Sequence, residues 1–201
     1  MKNVHIKVNI SVNRAIQVLL LLLFVANIAD GLLAPFFAVF VVGTISGATI
    51  KTVGFTLAIV AITKSIIQIP LARRIDKQAG EKDDFYFLAA GTVPHVFYPI
   101  GLIFATAPWH LYVLSMLSGT GIAFFMAAYY SMFSHHIDRG SEGFEWSLFS
   151  VWGLTVSTAI GGVVGGILAD VVGFRWTFVT MAMFNLAACG LRLASPALST
   201  S

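Results

Sequence analysis

Six apolar runs, each near the length of a membrane-spanning helix, alternate along the chain with short polar stretches. They cover about residues 15–42, 52–72, 85–106, 109–133, 146–169 and 176–195. A helix rising ~1.5 Å per residue needs ~20 apolar residues to cross the hydrocarbon core of a bilayer. The pattern therefore predicts an all-α membrane domain of six transmembrane helices over residues 15–195. A polar N-terminal tail (1–14) and a short C-terminal tail (196–201) flank it. The basic start MKNVHIKVNISVNR followed by AIQVLLLLLFVANIA resembles a signal peptide. Its apolarity, however, continues past Asp30 and Gly31 to Val42, beyond the 7–15 residues of a signal's hydrophobic region. An uncleaved first span is expected, long enough to tilt. Pro70 is expected to end the second helix, and Pro94 and Pro99 fall inside the third. Trp109, Trp146 and Trp176 each stand at the start of a run, where interfacial aromatics belong.

Composition agrees. The 201 residues are 58% hydrophobic and only 10% charged, against about 25% charged in soluble domains. The formal net charge of +3 comes from scattered cations and gives no footprint for nucleic acid. Cys189 is the single cysteine, so no internal disulfide can form. With the N-terminus inside, nine cations lie on the inner side: Lys2, Lys7, Arg14, Arg73, Arg74, Lys77, Lys82, Arg139 and Arg192. Only Lys51 and Arg175 lie outside. This bias predicts a multi-pass plasma-membrane protein with both termini cytoplasmic.

An internal repeat is the next signal. The second run ends in LARRIDKQAG and the fifth in GILADVVGFR. Each places an Asp at the helix exit (Asp76, Asp170), a Gly after it (Gly80, Gly173) and then a cation (Lys82, Arg175). The second and fifth helices are the middle members of two three-helix units. Two odd-numbered units in series have opposite orientation, so a 3+3 inverted repeat is expected.

At these residues the chain resembles the N-terminal six-helix half of a major facilitator superfamily transporter. That family's loop between helices 2 and 3 reads Gly-x-x-x-Asp-Arg/Lys-x-Gly-Arg/Lys. Here Ala72 stands at the first Gly, Asp76 and Lys77 match, and Gly80 and Lys82 follow after one extra residue. GGVVGGILAD (Gly161 to Asp170) resembles the antiporter-type Gly-Pro-x-x-Gly-Gly pattern, with Gly162 in place of the Pro. The resemblance implies that Asp76, Lys77 and Gly80, with Asp170 and Arg175 in the second unit, brace helix ends during alternating access. The small residues Gly161, Gly162, Gly165 and Gly166 are expected at a close helix–helix contact. The fourth helix departs from the antiporter pattern: Ser115 stands four residues before Gly119, where an Arg is usual.

Two ionisable residues lie inside apolar spans, Asp30 in the first and Lys64 in the second. A charge in hydrocarbon is costly and marks a functional position by default. At similar depth the two are expected to pair. The pair either lines a substrate path or locks the two helices together; alternatively Lys64 snorkels to the inner interface. Asn27, three residues before Asp30, and Gln68, one turn after Lys64, extend the polar faces. His95 serves either as an interhelical hydrogen-bonder or as a proton relay, and Asn185 reads the same way. The loop from Ser134 gathers His135, His136, Asp138, Glu142 and Glu145. Imidazole and carboxylate suit zinc or manganese, but the spacing fits no ligand template. No metal and no cofactor are assigned. There is no nucleophile elbow, phosphate loop, HExxH or dinucleotide glycine pattern, so an enzyme is not expected.

The function expected is secondary transport of a small solute by alternating access. The partners expected are the bilayer, the solute and a second six-helix half, either another copy or a C-terminal portion. The alternative is a non-transporting six-helix assembly or sensor protein.

Overall fold

The computed structural model describes residues 12–77 and 81–193. The helices there are α1 (Arg14–Leu33), α2 (Phe37–Thr44), α3 (Ile50–Ile75), α4 (Glu81–Phe104), α5 (Pro108–His136), α6 (Glu142–Leu148), α7 (Ser157–Val171) and α8 (Phe174–Leu193). A π-helical stretch, Phe149–Val156, joins α6 to α7 without a break. Five of these segments are long and apolar enough to cross a membrane: α1, α3, residues Tyr86–Phe104 of α4, α5, and the continuous helix Glu142–Val171.

Two departures from the sequence pattern have local causes. The first run is not one span. Pro35 has no N–H to donate back to the Gly31 carbonyl, and the Ala34 N–H takes that carbonyl instead at 3.2 Å, with Ala34 itself still helical in backbone. The helix stops at Leu33, and the chain turns through Ala34–Phe36. It then resumes as α2, whose Phe40 N–H donates to the Phe36 carbonyl at 2.8 Å. The second departure is Pro70, which lies inside α3 and does not end it: the helix runs one more turn, to Ile75. Of the tails, residues 1–11 and 194–201 lie outside the described residues.

Packing follows the small residues. α1 lies against α7 and α8, α5 against α3 and α4, and α4 also against α8. At the α1–α7 contact the backbones meet directly. A Cβ on Gly31 would stand 2.7 Å from the Thr158 carbonyl, and one on Gly165 would overlap the Leu32 carbonyl. Gly161 meets Ile28 and Gly165 meets Leu32, so α1 and α7 run parallel. At the α3–α5 contact, Gly119 closes on Val60, Thr63 and Lys64. At the α4–α5 contact, Gly91 closes on Phe125 and Gly121 on Pro94.

The core divides by depth. One cluster holds Ile16, Leu19 and Leu23 of α1 with Tyr129 and Phe133 of α5, Ile75 and Phe149. The other holds Leu32, Phe36 and Phe40 with Tyr98, Leu102, Leu111 and Phe178. Asn13 closes the first end. Its Oδ1 caps α1 by accepting from Ile16 N–H at 2.9 Å. Its Nδ2 donates to the His136 carbonyl at 2.6 Å and to Asp138 Oδ1 at 3.2 Å. The start of α1 and the end of α5 therefore sit at the same end of the bundle.

Candidate functional site

A cavity of about 200 Å³ opens between the two apolar clusters. Ala26, Asn27 and Asp30 of α1, His95 of α4, Ile122, Phe125 and Met126 of α5, and Asn185 of α8 line it. Four helices thus contribute, and the polar wall is Asn27, Asp30, His95 and Asn185. Local geometry explains why they converge. Asn27 and Asp30 are one helical turn apart and share a face. His95 follows Pro94, and its Nδ1 lies 2.8 Å from the Gly91 carbonyl. Gly121 has no Cβ where one would stand 2.8 Å from Pro94 Cβ and 2.9 Å from His95 Nδ1, so α5 leaves room for both. Asn185 donates from Nδ2 to the His95 carbonyl at 3.0 Å, tying α8 to α4 beside the cavity.

Asp30 lies in the last turn of α1 and is exposed, with its side chain lining this cavity. Its electrostatic neighbour is His95. Tyr98, one turn further along α4, is also close enough to feel the Asp30 charge, and it is buried. Asn27 uses one of its two amide N–H donors on the Leu23 carbonyl at 3.0 Å, and its side-chain oxygen is an acceptor. If His95 donates from Nδ1, its Nε2 is also an acceptor. A carboxylate with two further acceptors suits a ligand that donates hydrogen bonds.

Of the sequence-derived candidates, Asp30, Asn27 and His95 come together here; Lys64 and Gln68 do not. Lys64 stands half-buried on α3, beside Gly119 of α5, and neither it nor Gln68 lines the cavity. The expected Asp30–Lys64 pair is not formed. Depth alone suggested it, but α3 packs on α5 and α1 packs on α7 and α8. Sequence reasoning passed over Tyr98, although its spacing from His95 puts the two on one face of α4. Asn185 was legible only as a hydrogen-bonder. Its place in the cavity wall depends on how α8 sits against α1 and α4.

The other candidates are placed as follows. Asp76 caps the end of α3 through its backbone and is exposed, as is Lys77. The Asp76 carboxylate makes no hydrogen bond or ion pair among the described residues. Gly80 lies outside the described residues. Asp170 and Arg175 are both exposed, at the end of α7 and the start of α8. Gly161 and Gly165 pack on α1 as expected of small residues. Gly162 and Gly166 do not: nothing lies within 4 Å of where their Cβ atoms would be. One residue on from the contact face is a rotation of about 100°, which turns them away from α1. No group of three or more metal-ligating side chains is found among the described residues. In the loop before α6, Glu145 is 1% exposed and accepts from Asp138 N–H at 3.3 Å through Oε2.

The family model described as Major Facilitator Superfamily matches residues 19–199. No curated protein matches the chain.

Proposed function

We propose that this chain, which belongs to the major facilitator superfamily, moves a small hydrogen-bond-donating or cationic solute by alternating access, with Asp30 as its anchor. The family transports solutes, and the chain is a multi-pass membrane protein of that kind. The observation that carries the finer reading is the polar cavity at mid-depth with one carboxylate in its wall. Substrate sites in transporters lie near the bilayer midplane, at the interface of repeated units.

Three features support a 3+3 inverted repeat with α8 as the sixth span. The contacts of α1 with α7 and α8 mirror those of α5 with α3 and α4. The α4–α8 contact maps onto itself under the same exchange. Gly31 on α1 and Gly119 on α5 are the close-approach residues in the two mirrored contacts. The size of the cavity, about 200 Å³, is below the ~300–1,000 Å³ of complete small-molecule sites. A second six-helix half, from another copy or a C-terminal portion, supplies the missing wall. Lys64, Ser65 and Gln68 form a polar stripe on α3 that lies apart from the Asp30 cavity, and this stripe faces that second half. Asp76 and Lys77 then act at the inner interface as the matching family motif implies. Asp170 and Arg175 hold the equivalent place in the second unit.

Orientation follows from the nine-to-two cation bias. It places the termini and the Asn13–Asp138 end in the cytoplasm, in a plasma membrane. Single cysteines at Lys77 and Thr44, both exposed, should react with an impermeant maleimide from opposite sides of the membrane. Labelling of both from one side refutes the topology. Transport itself is tested in liposomes preloaded with a panel of small amines, cations, neutral polyols and carboxylates. Release of amines or cations above protein-free liposomes is expected. Folded, correctly inserted protein that releases none of them supports the non-transporting alternative.

A further inference from the structure

A second cavity, of about 280 Å³, lies at the opposite end of the bundle from Asn13, where α2 and α4 finish and α8 begins. Its wall is apolar, with Phe40, Leu102, Ala105, Phe174 and Phe178 prominent. Phe40 and Phe178 pack edge to face at 4.8 Å between ring centroids, so the floor is a fixed aromatic surface. One charged residue, Arg175, completes the wall. Arg175 is exposed and makes no hydrogen bond or ion pair among the described residues. Trp176 beside it is 62% exposed, as befits a residue at headgroup level.

We infer that this cavity binds the acyl chain of an anionic membrane lipid, with the lipid phosphate on the Arg175 guanidinium. Each half of the lipid finds its complement. The apolar pocket takes hydrocarbon at no cost in unpaired polar groups, and its volume suits the headgroup-proximal stretch of one acyl chain better than a bulky solute. Arginine matches phosphate through paired N–H donors, and its charge selects anionic over zwitterionic headgroups. The Trp176 level places the mouth where headgroups are found. The site shares no lining residue with the Asp30 cavity.

The test is photo-crosslinking in nanodiscs with trace lipid carrying a diazirine near the ester end of its acyl chain. One arm uses phosphatidylglycerol and the other phosphatidylcholine. Adducts with phosphatidylglycerol should map to the segments around Phe40, Leu102 and Phe174. They should exceed phosphatidylcholine adducts there by roughly fivefold, the worth of one cation near an anionic surface. Arg175→Gln should remove that preference and Arg175→Lys should keep most of it. Val172→Phe, which adds bulk at the exposed rim of the pocket, should reduce adducts of both lipids. Equal labelling by the two lipids, insensitive to Arg175→Gln, means ordinary annular lipid and overturns the proposal. So does labelling that avoids these segments.

Discussion

Gly165→Val should leave little folded protein, while Gly166→Val, one residue on, should leave the melting temperature in detergent almost unchanged. At Gly165 a Cβ would overlap the Leu32 carbonyl and crowd its Cα, which are backbone atoms that cannot swing aside. Overpacking against movable side chains costs about 1–3 kcal/mol. Against backbone the helices must separate, and the Gly31–Gly161 contact separates with them. The expected loss is therefore at or above the top of that range. Gly166 has open space where its Cβ would stand, and valine is a slightly better helix former than glycine, so the change there is worth at most a few tenths of a kcal/mol in favour of the fold. Thermal melts of the two variants in one detergent provide the check. Similar melting temperatures would mean that α7 does not lie on α1 through this face.

Asp30→Asn should cut solute release from liposomes by roughly ten- to hundredfold without lowering the melting temperature. The first part follows if Asp30 supplies a charge-assisted contact to the solute, worth ~1.5–3 kcal/mol. The second follows because an ionised carboxylate in the membrane interior is a burden on the fold, and the amide relieves it. Asn185→Ala provides a contrast. It removes the donor to the His95 carbonyl and the tie between α8 and α4, so it should lower stability and activity together. If Asp30→Asn releases solute as fast as the parent protein, the cavity is not the transport site. If it instead melts several degrees lower, Asp30 is a structural residue.

The sequence displayed its helices because a membrane span is written in composition, and composition survives without knowledge of neighbours. The break at Pro35 was legible in principle, since proline has no N–H to donate back into a helix. It was masked by apolar side chains continuing to Val42. Site residues were legible only one helix at a time. Asn27 with Asp30 and Lys64 with Gln68 are spacings within a helix, and periodicity exposes such pairs. Which pair faces which is a question of azimuth between helices, and that is set by glycines such as Gly31, Gly119 and Gly161. Similar depth was the ground for matching Asp30 to Lys64, and depth says nothing of azimuth. The glycine contacts place α1 on α7 and α3 on α5, leaving His95 and Tyr98 of α4 as the Asp30 neighbours.

The π-helical stretch Phe149–Val156 serves as a phase shifter. Just before it and at its first residue, Trp146 and Phe149 look toward Phe133 and Tyr129 of α5. After it, Gly161 and Gly165 must look toward α1. A π turn holds more residues than an α turn, so it slips the angular register of everything downstream relative to a uniform α-helix. Winding this segment as α-helix at its present length would rotate the glycine face off its partner, although no glycine had been touched.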